Sequence, residues 1–445
     1  MTQCGSERTL SGLLLILAVA VPASAQPPCD SLPAPSGTII EVRSDQASSL
    51  RGIVGAAESG TTILLHSGTY AMSLGDSTSR LVFDTPGVTL RSFSGDRASV
   101  VLDGAYQTNE LVSIYASNVT IANLTLRRAF DHPVHINGTS GNPISGVVLH
   151  NLRIVDPGQQ AVKINAVADG YADDGVIECS HIELTPTGRT QIRDNCYTGG
   201  VDAHAARGWR VQRNRIEGFW CSSGLSEHGV HFWRASRDTV VEQNVIVDCA
   251  RGVGFGLGTQ GGSRVYPDDP YPNVSDKGHI DGMIRNNFIS AHDASLQASS
   301  SGFDVGIGLE QAHGVQVLHN TVASVLQPSS SSVEWRFAGT SAQVYNKLVS
   351  HNLKERDGAQ ASLSGNVTDA PLSWFETVAQ GDLHLVDGAS GAVDVASDLA
   401  PGMVDFDIDD EIRGSLRDAG ADEYGLLFAD GFETADISAW SSVVP

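Results

Sequence analysis

Asparagine recurs at nearly regular intervals inside short apolar runs of this chain. The runs share strand length and β-branched content, and they contain Asn123, Asn151, Asn214, Asn244, Asn287 and Asn320. Three intervals are 28 residues (123 to 151), 30 (214 to 244) and 33 (287 to 320), and Ser180 fills the equivalent position in IECSHIEL. Such a period is typical of stacked solenoid coils. Since side-chain amides at one turn can hydrogen-bond from coil to coil, we expect all six asparagines to stack in one register.

A second phrase repeats upstream of most of these asparagines. Its copies are PVHIN from Pro133, AVKIN from Ala161, GVDAH from Gly200, GVHFW from Gly229, GVGFG from Gly252, GIGLE from Gly306 and SVEWR from Ser332. The second and fourth positions are apolar, whereas the third and fifth vary, which is the alternation of a strand with one buried and one solvent face. We therefore expect the third and fifth positions of successive coils to form two neighbouring outward columns.

The segment before these repeats resembles the entry to β-helices of the pectate-lyase-like superfamily. An amphipathic stretch, SLRGIVGAAESG, is followed by TTILLHSGTY and PGVTLRSFSGDRASVVLDG. In that superfamily the first stretch caps the open end of the helix, where strand edges would otherwise be unpaired. The resemblance spans roughly residues 37 to 424. It implies an all-β, right-handed parallel β-helix, with a leader and cap at 26–60, the helix at 61–382 and a closing region at 383–425.

The chain begins with features of an export signal. Arg8 precedes an apolar run from Leu13 to Val21, and Ala23-Ser24-Ala25 reads as a cleavage site, which predicts a signal peptide over residues 1–25. That run is too short to span a membrane, and no later stretch is apolar for the roughly 20 residues required. We expect a secreted protein with no membrane span. The stretch 426–445 resembles C-terminal tails of exported bacterial proteins, and it reads either as a sorting or attachment tag or as a disordered end.

The net charge limits the class of binding partner, and the cysteine count limits the number of disulfide bridges. Acidic residues outnumber basic ones by 51 to 28, giving a net charge of -23, which argues against nucleic acid as a partner. Calcium is left open as a cofactor, and we expect a monomer. Because five cysteines follow the signal peptide, at most two bridges can form within one chain. The predicted pairs are Cys221–Cys249 and Cys179–Cys196.

Stacking the seven phrases brings titratable side chains together. Adjacent strands lie about 4.8 Å apart and alternate residues about 6.7 Å apart, so the candidate catalytic residues would share one patch. They are Lys163, Asp202, His204 and His231. The predicted substrate-binding residues are Trp233, Glu310, Arg336 and His135. Trp233 offers an aromatic face, and Gly254, Gly256 and Gly308 leave a bare floor, a combination that suits an extended polysaccharide.

The spacing of the carboxylates distinguishes between hydrolysis and elimination as the reaction. Hydrolysis needs two carboxylates roughly 5 to 9.5 Å apart, whereas Asp202 and Glu310 would lie about 14 Å apart. Elimination beside a uronate instead needs a base such as Lys163 or His204, with a pKa tuned by Asp202, and a cation to neutralise the acid group.

Other features rank lower. The chain lacks the three-carboxylate signature of polygalacturonases and the calcium and arginine signature of typical pectate lyases, so no family residue carries over. Glu227 and His228 are second-rank candidates above the patch. No metal site is predicted, and the acidic run 405–411 reads as a solvated turn rather than a calcium loop. A sugar-binding surface without turnover remains the alternative function.

Overall fold

The chain forms a parallel β-helix in which successive coils add strands to three parallel sheets. The computed structural model describes residues 29, 31–73, 80–258 and 264–425. Within these residues each coil contributes a strand to face 1, then to face 2, then to face 3, and the strands pair with those of the coils before and after. The predicted all-β parallel solenoid is therefore confirmed. The predicted signal peptide and the 426–445 tail lie outside the described residues.

The strands of the three faces are short and numerous. Face 1 contains Ile39–Val42, Thr62–Leu65, Thr89–Ser92, Thr120–Ala122, Val148–His150, Val176–Glu178, Arg210–Gln212, Ser236–Arg237, Val240–Glu242, His279–Ile280, Met283–Arg285, Ala312–Leu318, Ser341–Tyr345 and Gln360–Ser364. Face 2 contains Gly68–Ala71, Val100–Asp103, Thr125–Arg127, Arg153–Val155, His181–Glu183, Arg215–Glu217, Val245–Val247, Phe288–Ala291, Thr321–Ser324 and Leu348–Val349. Face 3 contains Leu81–Phe83, Glu110–Ile114, His132–Asn137, Gln160–Asn165, Gly199–His204, His228–Trp233, Arg251–Phe255, Val305–Glu310, Ser331–Arg336 and Leu353–Arg356.

The remaining elements are small and flank the coils. The described residues include the helices α1 (Ala47–Gly55), α2 (Pro186–Arg189) and α3 (Ala294–Gln297) and the 3-10 turns Ser44–Gln46, Leu372–Trp374 and Val378–Gln380. Two small sheets pair Ile144–Ser145 with Ala172–Asp173 and Phe375–Thr377 with Asp382–Leu385. Helix α1 buries Leu50 and Val54 in the main core at the start of the solenoid, as a cap requires. No helix among the described residues is long and apolar enough to cross a membrane.

The asparagines stack at the turn between faces 1 and 2, in two columns rather than one. Pairing of Ile154 with both Leu126 and Ile182 sets the register of these coils. Asn123 and Asn151 share one column, where the Asn151 amide donates to Asn123 Oδ1 (2.9 Å). The next position along the chain forms the second column, which contains Ser180, Asn214, Asn244, Asn287 and Asn320. The single register predicted for all six asparagines is therefore wrong by one residue in the first two coils.

The closing region covers the outer side of face 2. Its apolar residues form a second core with side chains such as Val247 and Phe288. Within the 405–411 run, Asp407 is buried and accepts the backbone N–H groups of Asp409 (2.9 Å) and Glu411 (2.8 Å). Asp410 pairs with Arg213 at 2.6 Å. The predicted solvated turn is wrong for Asp407, whose buried carboxylate holds the turn together, whereas the Asp410 carboxylate docks the closing region onto the solenoid.

Both predicted disulfide pairs are wrong. The bridges are Cys29–Cys179 and Cys196–Cys221, and Cys249 is free and buried. The Cys249 side chain belongs to the core of the solenoid, and none of the other cysteines in the described part of the chain is bonded to it. Cys196 and Cys221 instead lie in two connections, 184–198 and 218–227, that join face 2 to face 3. Their bridge ties those connections together.

His384 makes the closing region sensitive to alkali. Its Nδ1 lies 2.5 Å from Asp382, and its Nε2 lies 2.6 Å from Asp409 and 4.0 Å from Asp422. Burial opposes charge on the ring, but the three carboxylates prevail and raise the pKa from 6.5 to about 11. Because the folded pKa lies above the unfolded one, the stabilisation is complete below pH 6.5 and is lost as the pH rises towards 11.

We expect the melting temperature to fall between about pH 7.5 and about pH 10.5, and His384→Gln to flatten that fall. The carboxyl of Asp422, with its pKa raised by burial to about 7, titrates mainly below about pH 8, so the slopes above that pH are the ones to compare. His66→Gln is the control, since His66 faces the single carboxylate of Glu41 at 2.8 Å. Differential scanning calorimetry across the window is the measurement. Parallel curves for the wild type and the His384 variant would contradict the assignment.

Candidate functional site

The register of face 3 brings the predicted candidate residues side by side. Lys163 pairs with Asp202, Asp202 with His231, and His204 with Trp233. The third-position column then continues through Gly254, Gly308 and Glu334. Both outward columns derived from the sequence therefore exist, and they bring Lys163, Asp202, His204 and His231 into one cluster.

Two connections cover this cluster, so its core is buried. Lys163, Asp202 and His231 are only 4%, 1% and 0% exposed, and the expectation that the third-position column faces solvent is wrong for these three. The connection 184–198 carries Tyr197, whose hydroxyl lies 3.0 Å from Lys163 Nζ. The connection 218–227 carries Glu227, which reaches His231. Glu227 lies over the site as the sequence suggested, but neither connection contains the repeat phrase, and the sequence pattern gave no sign of Tyr197.

Lys163, Asp202 and His204 form a compact network. Lys163 Nζ donates to Asp202 Oδ2 and lies 3.1 Å from His204 Nε2. His204 Nε2 is also 3.3 Å from Asp202 Oδ2. The other carboxylate oxygen, Oδ1, accepts the indole N–H of Trp233 at 2.8 Å. Asp202 is therefore fully engaged, and it orients both the ammonium group and the imidazole.

The environment assigns different charges to the network. Burial opposes charge on Lys163, but the attraction of Asp202 and Tyr197 raises the pKa of its amine above the ordinary value. Burial likewise opposes the carboxylate, but Lys163, His204 and His231 hold the pKa of Asp202 well below its usual range. Burial lowers the pKa of His204 in spite of its contact with Asp202. Near neutral pH the cluster thus holds an ammonium, a carboxylate and a neutral imidazole.

His231 lies beneath the network and has no exposed surface. Its Nε2–H donates to the carbonyl oxygen of Gly256 at 2.9 Å. Its Nδ1 faces Glu227 Oε2 at 3.3 Å and Asp202 Oδ1 at 3.6 Å. Burial opposes protonation, but the two carboxylates raise the pKa of His231. A side chain this buried supports the cluster without touching a substrate.

Trp233 is packed into the wall of the site. The indole is 9% exposed, lies parallel to the His231 ring at 5.5 Å and meets the His204 ring edge-on at 4.5 Å. The exposed Arg234 lies over the same indole, 4.8 Å from its ring centre. The predicted open aromatic face for a sugar is therefore wrong. Trp233 instead holds Asp202 and His204 in position.

The glycine floor is only partly open. A Cβ at Gly254 would lie 2.5 Å from His228 Nε2, so the His228 ring already covers that position. At Gly256, which has a φ of +80°, a Cβ would strike the backbone carbonyl of Glu310. Gly308 has only ordinary contacts and lines an open cavity of about 210 Å³. The open floor predicted from three glycines thus reduces to the region around Gly308.

Polar residues surround this cavity, and they are paired with one another. Glu310 accepts the backbone N–H of Gly258 and lies 4.0 Å from Arg336. Arg336 also pairs with Asp357 at 2.9 Å. The predicted binding residues Glu310 and Arg336, three and four coils beyond Asp202, therefore line a cavity separate from the Lys163 network.

His135 lies on the opposite side of that network, one coil before Lys163. Its Nδ1 lies 2.5 Å from Glu110 Oε1, and its Nε2 lies 3.0 Å from the amide nitrogen of Asn165. The side chain is 16% exposed, so it borders the site at the surface.

Sequence reasoning missed two residues beside His204. Tyr197 is partly exposed and contacts Lys163, but it lies in a connection without a repeat. Arg234 follows directly after the GVHFW phrase, and its positive charge is one of the effects that lower the pKa of His204. The position of Arg234 at the end of a face-3 strand is the sequence signal that could have identified it as a site residue.

Fold and cluster together define a right-handed parallel β-helix protein with a partly covered polar site on one sheet. Among solved structures, the chain is similar to the pectate lyase Pel9A, with a TM-score of 0.55 and 14% identity over 87% of this chain and 96% of that chain. It is also similar to an alginate lyase from Paenibacillus sp. str. FPU-7, with a TM-score of 0.50 and 16% identity over 74% of this chain and 99% of that chain. No protein-family model and no curated protein matches the sequence. At these identities the likeness shows the shared fold.

Proposed function

We propose that this chain is an exported enzyme that cleaves an acidic polysaccharide by β-elimination, with His204 as the base. The observation that carries the proposal is the position of the His204 imidazole, whose pKa is lowered by burial, beside the buried ion pair of Lys163 and Asp202 on face 3. His204 is 15% exposed on its side chain, against 5% for Lys163 and 2% for Asp202. Of these three groups, it is the one best able to meet a substrate.

The base in this mechanism is the imidazole, because the amine of Lys163 keeps its proton. In the proposed tautomer His204 carries its hydrogen on Nε2, which Asp202 Oδ2 accepts (3.3 Å) while the Lys163 ammonium donates to Asp202 and Tyr197. Nδ1 of His204 then removes the proton from the carbon next to the uronate carboxyl group. The carbon–oxygen bond to the neighbouring sugar breaks as the carbon–carbon double bond forms. One product therefore carries an unsaturated uronate.

Positive charge and a proton donor complete the step. The ammonium group of Lys163 and the exposed guanidinium group of Arg234 stabilise the negative charge that develops on the uronate carboxyl group. Tyr197 accepts a hydrogen bond from Lys163 (3.0 Å), so its own O–H is free to protonate the leaving sugar oxygen. Lys163 can then return a proton to Tyr197.

The names of the structural neighbours are compatible with this chemistry. They include a pectate lyase and an alginate lyase, which are named for elimination in acidic polysaccharides. The predicted signal peptide favours action outside the cytoplasm, as a polysaccharide substrate requires. A monomer is expected to suffice, since the proposed groups all come from one chain. Assays with and without calcium test whether an added cation contributes.

The alternative is a carbohydrate-binding protein without turnover. It is favoured by the burial of Lys163 and Asp202 and by the internal pairing of the charges around Gly308. In that case His204, Arg234 and His135 would form a recognition surface.

Ultraviolet absorbance during incubation with acidic polysaccharides distinguishes the two functions. The panel is pectate and alginate, each with and without calcium, because elimination creates a conjugated double bond. A rise in absorbance that disappears in the His204→Ala variant supports the lyase. A flat trace together with measurable binding rejects turnover and leaves the binding function.

The pH profile of kcat/KM identifies which group is the base. His204 faces Lys163, Asp202 and Arg234. The pKa of the Lys163 amine is raised and that of the Asp202 carboxyl is lowered, so neither of these two groups titrates near neutrality. We expect activity to fall at low pH with an apparent pKa below 6.5, since protonation of His204 abolishes the base. If Lys163 were the base, activity would instead rise only above pH 10.5. Initial rates across this range separate the two.

A further inference from the structure

A second group of ligand-type side chains lies behind the proposed catalytic network. Glu227, His228 and His231 bring a carboxylate oxygen and two imidazole nitrogens within 4.8 Å of one another. Glu227 ends the 218–227 connection, and His228 and His231 belong to the strand that follows. Glu227 is partly buried, and His228 is 5% and His231 0% exposed.

The three atoms of this group that could bind a metal ion have no hydrogen-bond partners. His231 Nδ1, His228 Nδ1 and Glu227 Oε2 are all buried without one. Buried polar atoms are almost always satisfied, so three in one place require an explanation. Since Nε2 of His231 donates to Gly256 O, its Nδ1 carries a lone pair directed at Glu227 Oε2, 3.3 Å away. Either a proton or a metal ion between these two acceptors stabilises the arrangement, but a single proton leaves the buried Nδ1 of His228 without a partner, which favours a metal ion.

The surroundings are already arranged for ligation. Metal-binding histidines usually donate their second ring N–H to a carbonyl or carboxylate, as His231 does to Gly256. The rings of His228 and His231 lie 4.4 Å apart and tilted by 40°, so neither blocks the other. The absence of a side chain at Gly254 leaves room for the His228 ring, which a Cβ would meet at 2.5 Å.

Other groups of this type among the described residues are already satisfied. His181, Glu183 and Glu217 are neutralised by Arg153 and Arg215. His384 uses both ring nitrogens on carboxylates. In the group of His150, Glu178 and Cys179, the cysteine is in a disulfide.

We propose that Glu227, His228 and His231 bind a zinc-type divalent transition-metal ion. Two imidazoles and one carboxylate form a donor set that zinc uses in proteins. The ion would fix the 218–227 connection to face 3, next to the Cys196–Cys221 bridge that ties the same connection to the segment carrying Tyr197. This metal site is separate from the proposed elimination reaction, and its existence does not depend on that reaction.

Zinc binding to the tag-free full chain tests this site. We expect this site to bind one zinc ion per chain. Both His228→Ala and Glu227→Gln should weaken zinc affinity by at least about 100-fold, which is the upper end of the effect of losing an outer-shell partner. The matched control is His181→Ala, which alters a His–Glu–Glu group that arginines already neutralise, and it should leave zinc affinity unchanged. Competition titration and elemental analysis give the values.

X-ray absorption of the zinc-loaded wild type avoids dependence on variant folding. Nitrogen and oxygen ligands with two imidazoles support the site, whereas a sulfur ligand would implicate Cys249 and overturn it. Absence of bound zinc in the wild type would also overturn it, because a proton shared by His231 and Glu227 would then fill the gap. Equal zinc affinity in the wild type and in folded His228→Ala would also overturn the proposed site.

Discussion

Replacing His204 with alanine is expected to lower kcat on the acidic polysaccharide that the enzyme cleaves by about 10²- to 10⁴-fold, the usual contribution of a general base. The substitution leaves the buried pair of Lys163 and Asp202 intact, so the fold should survive. Removal of Lys163 would instead strand a buried carboxylate, which typically costs about 3–5 kcal/mol. His204 is therefore the cleaner position to test. Steady-state rates of the purified variant give the result.

Two controls give this substitution its meaning. His292→Ala changes an exposed histidine outside the face-3 cluster and should leave kcat unchanged. His135→Ala, at the edge of the site, should raise KM more than it lowers kcat, since His135 contacts Glu110 and Asn165 rather than the Lys163 network. A His204→Ala enzyme within about threefold of the wild-type kcat would remove His204 as the base, since general bases contribute far more.

Replacing Asn244 with alanine is expected to destabilise the solenoid by about 3–5 kcal/mol, because several buried groups lose partners at once. The Asn244 amide donates to Val211 O (2.9 Å), Glu242 O (3.0 Å) and Asn287 Oδ1 (2.9 Å). Its oxygen accepts the backbone and side-chain N–H groups of Asn214, both at 3.0 Å. Equilibrium unfolding in urea measures the loss.

Asn366→Ala is the matched control for the ladder. Asn366 lies at the C-terminal end of the same column, is only partly buried and makes two hydrogen bonds, from the Lys347 backbone and to Val344 O. We expect its loss to cost about 1 kcal/mol, the typical contribution of exposed or partly exposed hydrogen bonds. Equal losses for the two variants would mean that the buried ladder contributes no special stability.

Much of the solenoid could be predicted because its physics is local and repeated. Each coil must bury two apolar side chains per face-3 strand, so the alternation in AVKIN and GVDAH sets the register of Lys163 against Asp202. The asparagine turn was predicted with a one-residue error. Asn123 and Asn151 occupy the left-handed position of the turn, with φ of 56° and 49°, whereas Asn214 and its successors lie one residue later.

Apart from the expected position of Glu227 and His228 above the patch, the cover over the site could not be predicted, because its contacts join distant segments. Tyr197 and Glu227 lie in connections whose course is set by packing and by the Cys196–Cys221 bridge. The cysteines themselves were mispaired, since spacing does not reveal that Cys249 points into the core. Burial lowers the pKa of both side chains, and the attraction of Asp202 and Tyr197 for Lys163 is what keeps the amine charged while the pKa of His204 stays low. The strand register could thus be predicted from the sequence, whereas the electrostatics of the site could not.

Mass spectrometry of products formed in oxygen-18 water tests the proposed elimination most directly. Elimination adds no water, so each cleavage should yield an unsaturated fragment without solvent oxygen, whereas hydrolysis inserts one solvent oxygen per cleavage. We predict unsaturated, unlabelled fragments from the wild type and at least about 100-fold fewer from His204→Ala in the same time. Labelled, saturated fragments, or an uncut polymer that nonetheless binds, would contradict the assignment of His204 as the base of a lyase.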